Sequence, residues 1–245
     1  MADLSSLASV ASAATRLLAT DVVPDALVLN AGVQVVNGVR YSPDGYELTM
    51  ATNVLGHFLL YRALRPLLRP GARIITLASQ THRGGLRAWG FPAARWSTPE
   101  ELFRPQHPAM TARAGRVRYA TSKLASIYLA YEIDRRDRPA GIRATAFDPA
   151  LMPETGLARD YPPAVRALYR RLCAPIARMP GAASVSTSAA DLAWLAASPD
   201  AVAVAGRYVS GRTDRPSSAL SYDQANARAL WDYCLHQTDN WMGIT

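Results

Sequence analysis

The sequence contains a single lysine. Of its 27 Lys+Arg residues only Lys123 is not an arginine. Arginine serves at most solvated positions, but it cannot replace lysine where a compact charge or a tunable pKa is needed, and this singles out Lys123. Cysteine is scarce too. Cys173 and Cys234 lie far apart and make neither a disulfide framework nor a zinc set, so both read as reduced thiols of a cytoplasmic protein. Glycine is missing ahead of Gly32, which excludes a Gly-rich phosphate-cradling turn from that stretch. No apolar run reaches the ~18–20 residues that spanning a bilayer needs, and residues 1–25 lack the basic start and apolar core of a signal peptide. No His, Cys and carboxylate cluster has metal-ligand spacing, so no metal is expected.

What is present is globular. Hydrophobic residues make up 49% and charged residues 19%, which excludes a disordered chain. The length suits one large domain or two small ones. The net charge of +8 would suit an acidic partner, but the arginines are dispersed. The densest group, Arg135, Arg136 and Arg138, is interrupted by Asp137 and follows an apolar-periodic stretch, as at the solvated end of a helix. Nucleic-acid binding is not expected.

Apolar residues at helical spacing run through 4–19, with Asp3 or Ser5 as a candidate cap. Short apolar runs bounded by turn residues then recur at 25–30, 72–77, 142–147 and, more weakly, 205–209, the pattern of buried parallel strands. Helical patterns lie between them at 44–68, 116–137, 163–178, 187–197 and 223–236. Alternation of this kind predicts an α/β fold, a Rossmann-like parallel sheet flanked by helices. Ligands of such sheets sit beyond the carboxyl ends of the strands. That directs attention to Asn30–Gly32, Ser79 and Asp148–Thr155.

Lys123 follows Tyr119 by four, in Tyr119-Ala-Thr-Ser-Lys123 on the predicted long helix. That spacing puts both side chains on one helical face, and a nearby cation favours the phenolate over the phenol. Such a pair can donate or accept a proton near neutral pH, or be two surface neighbours. Ser79 closes the strand 72–77, where its hydroxyl could bond a substrate oxygen or merely begin a loop. Asn53 lies inside a helical pattern although asparagine is a poor helix former. A buried asparagine must have its hydrogen bonds satisfied, so it is a structural clamp or a site residue. His82 and His107 are possible further acid/base groups, with packing or solvated roles the simpler expectation.

These motifs in this order resemble the short-chain dehydrogenase/reductase family, and within it the retinol-dehydrogenase and protochlorophyllide-reductase-like group. The resemblance runs from about residue 3 to about 236. It takes in Asn30-Ala31-Gly32 after a strand, Asn53 in its Gly-and-Phe context, Ser79, Tyr119 with Lys123, the Asp148-Pro149 turn, Thr155, Gly206-Arg-Tyr208 and Leu230-Trp231. It implies NADP or NAD as cofactor and a carbonyl or alcohol as substrate, in a lipophilic or polycyclic small molecule. Tyr119 would be the acid/base. Lys123 would favour its ionised form and hydrogen-bond the nicotinamide ribose. Ser79 would polarise the substrate oxygen, and Asn53 would hold a water relaying protons to Lys123. Asn30, Ala31 and Gly32 would line the cofactor, with Pro149 and Thr155 at its nicotinamide end.

Two departures stand out. The family opens with a strand, a Gly-rich turn, a helix and a second strand, whereas Met1 falls about where the group's third strand ends. The expectation is a single N-terminally truncated Rossmann-like domain over residues 1–245, without the pyrophosphate cradle. Its strand 25–30 would then be a sheet edge that invites pairing with a partner, and a homo-oligomer is expected. The second departure is an aromatic, Pro-rich insertion at about 81–115, with Trp89, Phe91, Trp96, Phe103 and His107, which reads as a lid over the site. Three functions follow: a nicotinamide-dependent oxidoreductase, a cofactor-independent redox-neutral enzyme (cyclase, isomerase or dehydratase), and a non-catalytic subunit pairing with a complete homologue.

Overall fold

The computed structural model of the chain describes residues 2–152, 179 and 181–244. Its first helix, α1 (Leu7–Leu18), buries Leu7, Val10, Ala11 and Ala14, one stripe at helical spacing. The cap is Ser6, whose hydroxyl accepts the N–H of Ser9. Asp3 and Ser5 do not cap the helix; the Asp3 carboxylate instead accepts the N–H and hydroxyl of Ser5. Strand β1 is Ala26–Leu29. The helical pattern at 44–68 becomes four pieces: α2 (Leu48–Met50), a π-helical turn at Ala51–Leu55, α3 (Gly56–Leu64) and a 3-10 turn at Arg65–Leu67.

Strand β2 is Arg73–Leu77, followed by the short helix α4 (Pro99–Phe103) inside the insertion and the long helix α5 (Ala112–Asp137). Strand β3 is Arg143–Asp148, and β4 is Tyr208–Ser210. Helix α6 (Val185–Ala197) lies between them, while the expected helix at 163–178 falls outside the described residues. A two-residue strand β5 (Thr213–Asp214) and helix α7 (Gln224–Thr238) complete the set.

The sheet runs β1-β2-β3-β4-β5, parallel as far as β4, with β5 antiparallel to it. One row across it is Leu29, Thr76, Ala146 and Tyr208. The carboxyl ends of β1, β2 and β3 therefore open on one edge of the sheet, bringing residues 30–32, 78–80 and 148–150 together.

Both faces are covered, as the unbroken apolar runs of β2 and β3 require. Side chains alternate along a strand, so neighbours serve different layers. Ile74 joins the core shared with α1, α3, α5 and α7, while Ile75, Leu77 and Phe147 pack with Leu195 of α6 and Val209. Helix α7 closes the first layer by setting Trp231 edge-on against Phe58, with ring centroids 5.0 Å apart. Full burial of one such side chain contributes about 1.5–3 kcal/mol.

Among the described residues β1 has one strand neighbour, β2. Leu27 and Leu29 nevertheless pack against the core on one face, and Val28 packs toward α6 on the other. The arginine-rich end of α5 is a set of ion pairs. Glu132 takes Arg135 and Arg136, and Asp134 takes Arg138 and Arg143, both carboxylates being buried.

Much of the insertion is seated on helices. Trp96 meets Tyr128 edge-on at 4.8 Å, Thr121 of α5 hydrogen-bonds both the N–H and the carbonyl of Arg95, and Phe103 is fully buried beside Tyr46 and Tyr233. Its tip differs, with Leu86 96% exposed.

Candidate active site

Helix α5 carries Tyr119 and Lys123 on consecutive turns, both buried. The Lys123 ammonium lies 5.7 Å from the centroid of the Tyr119 ring. One of its N–H bonds goes to the carbonyl of Leu77 at the end of β2, at 2.8 Å. Burial pulls the Lys123 pKa down to about 8, and the nearby charge of Asp148 opposes that fall. The ring of Phe91, from the insertion, approaches Tyr119 with centroids 6.2 Å apart.

Asn53 sits at the centre of the π turn, where the N–H of Gly56 reaches back to the carbonyl of Ala51. Such one-turn bulges often mark functional positions in helices. The Asn53 side chain is committed to the backbone that follows β1: its Oδ1 accepts the Val33 N–H at 2.8 Å, and its Nδ2 donates to the Val33 carbonyl at 3.0 Å. Nδ2 also donates to Ser122, whose hydroxyl donates to the carbonyl of Tyr119. Asn53 is thus a clamp that fastens residues 30–33 to α5, one residue before Lys123. Its own carbonyl accepts from Nδ1 of His57, one turn on. His57 is buried, and burial first and the Lys123 charge second lower its pKa to about 4.

Asn30, Ala31 and Gly32 are exposed at the mouth. A Cβ added to Gly32 would meet Asn53 Oδ1 at 3.6 Å and Lys123 Nζ at 3.7 Å, so this bend borders the lysine directly. Ser79 is half-buried, two residues beyond the carbonyl that holds Lys123, and its hydroxyl accepts the N–H of Thr81. That arrangement keeps its own O–H available to donate. Pro149 is half-buried beside Asp148; Thr155 and Cys173 lie outside the described residues. Cys234 is buried and free in α7.

The sequence pattern passed over Ser122 and His57 and marked Asp148 only as a turn residue. Asp148 is buried, accepts from the Tyr208 hydroxyl and the Ala150 N–H, and has its pKa raised by burial. Ser122 links Asn53 to Tyr119, and His57 braces the π turn. The i,i+4 spacing of Asn53 and His57 was the available signal. His107 is exposed, and among the described residues no group of three His, Cys, Asp or Glu could hold a metal ion. No helix is long and apolar enough to cross a membrane among those residues.

The sequence and the fold have relatives among known proteins. A family model described as enoyl-(acyl carrier protein) reductase matches residues 1–94. The chain is 32% identical over 243 residues to a polyprenol dehydrogenase of Danio rerio, covering 94% of this chain and 66% of that protein. It is 32% identical over 240 residues to a short chain dehydrogenase/reductase of Colletotrichum higginsianum, covering 94% of this chain and 58% of that protein. The chain belongs to the short-chain dehydrogenase/reductase family. It spans about two thirds or less of the length of these relatives. Among solved structures, a blue fluorescent protein from a metagenomic library, in complex with NADPH, matches with a TM-score of 0.60 at 23% identity. That match covers 85% of this chain and 72% of the solved chain, and it speaks for the fold.

Proposed function

We propose that the chain interconverts a carbonyl and an alcohol with NADP(H) or NAD(H), with Tyr119 as the proton donor and acceptor. The observation that carries this reading is the placement of the only lysine: buried, held on the Leu77 carbonyl, one helical turn from Tyr119 and bordering Gly32. Keeping a lysine charged this far from water costs free energy, which supports a chemical rather than a merely structural role.

The residues fit the nicotinamide end of such a cofactor. The open bend at Asn30, Ala31 and Gly32 leaves room beside Lys123 that a side chain at Gly32 would take up. Asn30, Ala31, Gly32 and Pro149 would line that end, and Lys123 would donate to a ribose hydroxyl. The bound nicotinamide would supply or accept the hydride. Tyr119 would hold the proton exchanged with the substrate oxygen, and the Lys123 charge would favour its phenolate. Ser79 would donate its O–H to that same oxygen, and Asn53 would keep the cofactor-lining bend in register with α5. The polyprenol dehydrogenase relative and the Phe91 ring beside Tyr119 favour a lipophilic substrate.

Tyr119→Phe removes the proton and leaves the ring. With NADPH and an aromatic ortho-quinone as test carbonyl, turnover is expected to fall by about 10²–10⁴-fold, the usual contribution of a positioned acid/base. Unchanged turnover in Tyr119→Phe would refute the role. Turnover of a carbonyl substrate with no nicotinamide present would favour a redox-neutral chemistry on the same residues.

A further inference from the structure

His82 is almost fully buried three residues after Ser79, and its two ring nitrogens have different partners. Nε2 lies 3.0 Å from the backbone N–H of Ser218, and a backbone N–H can only donate. Nε2 therefore carries no proton. The proton sits on Nδ1, which faces the carbonyl of Ser79 at 2.5 Å and donates to it. The same carbonyl accepts the His82 backbone N–H at 3.3 Å.

The ring rests against Tyr208, with centroids 5.2 Å apart, and Tyr208 donates to Asp148 at 2.8 Å. Asp148 also accepts the N–H of Ala150, and the Gln80 side chain donates to the Gly181 carbonyl. Arg83 lies over the Tyr208 ring and donates to the Pro216 carbonyl. The strand ladder ends at Ala78, whose N–H bonds Phe147. Beyond that point the Ser79 carbonyl is held by His82, which ties the turn to Ser218.

We infer that His82, in its Nδ1–H form, is a positioning residue that aims the Ser79 hydroxyl by holding the Ser79 carbonyl and anchoring it to Ser218. This rests on the reading of Ser79 as the group that polarises the substrate oxygen. His82 touches neither substrate nor cofactor in this role. A purely structural histidine would need only its packing against Tyr208 and would be indifferent to which nitrogen bonds the Ser79 carbonyl.

Three substitutions separate these roles. Asparagine places an amide N–H where Nδ1–H was, glutamine reaches toward Ser218 but not Ser79, and phenylalanine keeps only the ring. Amide exchange at 79–82 is expected to speed up by about tenfold or more in His82→Gln and His82→Phe and to return toward wild type in His82→Asn. In the quinone assay kcat is expected to fall by about tenfold or more in His82→Gln and His82→Phe, to recover to within about threefold in His82→Asn, and to leave KM for NADPH unchanged. Long-range nitrogen–proton NMR of the wild type should show the proton on Nδ1 and none on Nε2. An Nε2–H imidazole, or equal exchange and kinetic effects of Asn and Gln, would overturn the inference. Absence of turnover in the wild type would count against the reductase reading alone, leaving tautomer and exchange to decide the role of His82.

Discussion

Lys123 has an ordinary pKa of 10.5 and a folded one of about 8, because burial disfavours its charge. Below about pH 8 both folded and unfolded chains carry the proton, so the cost of burying the charge is fully present. Between about 8 and 10.5 the unfolded chain holds a proton that the folded chain has released. Stability gained from this residue therefore rises with pH across that window, by something on the order of 3 kcal/mol. Denaturant unfolding of wild type and Lys123→Met at several pH values should show this rise in the wild type and not in the variant. A parallel pH dependence in both would refute the buried, depressed lysine.

Ala150 provides a second test at the same scale. It adopts φ +62, a left-handed conformation that a side chain with Cβ resists, and its N–H bonds the Asp148 carboxylate. Ala150→Val should lower the unfolding free energy by about 1–2 kcal/mol, whereas Ala150→Gly should cost nothing; thermal melts distinguish the two. The Tyr119–Lys123 pair was legible in the sequence because spacing on a helix fixes a shared face. Asp148 was legible only as a turn residue. Its closeness to Lys123 and Tyr208 depends on β3 lying between β2 and β4, which is long-range information.

The elements that matter most are α5 and the π turn that faces it. Gly115 stands one turn before Tyr119, where a Cβ would come 2.1 Å from the Val36 carbonyl oxygen and 2.6 Å from that of Val35. The helix crosses the 33–36 segment that closely because glycine is there. In an ordinary helix Gly→Ala is favourable by about 1 kcal/mol. Here Gly115→Ala should instead destabilise by about 1–3 kcal/mol, and it should displace Tyr119 enough to lower turnover. A variant with a raised Tm and wild-type turnover would contradict that packing.

The long helix and the first three strands followed from local pattern, while the weaker run at 205–209 became a strand only at Tyr208–Ser210. The π turn did not. Only the misfit of Asn53 inside a helical stretch hinted at it, because the turn exists to serve hydrogen bonds to Val33, twenty residues away in sequence. Helix α4 was hidden by the proline-rich composition around it, and it forms on the Thr98 cap with Phe103 buried.

At the scale of the whole molecule, the sheet brings three strand ends to one edge and gathers Gly32, Asn53, Lys123, Ser79 and Pro149 around them. The parallel sheet was legible because strands buried on both faces read as short, uninterrupted apolar runs separated by helical periods. The identity of its neighbours was not, since strand order depends on crossover connections rather than on any segment alone. The proposed function asks whether this chain binds a dinucleotide with its nicotinamide end within reach of Lys123. Calorimetric titration of the chain with NADPH and with NADH answers that most directly. The account predicts saturable binding of at least one of them, weakened about tenfold or more in Lys123→Met by loss of a charge-assisted hydrogen bond. No binding at millimolar concentrations of either cofactor, or equal binding by wild type and Lys123→Met, would contradict it.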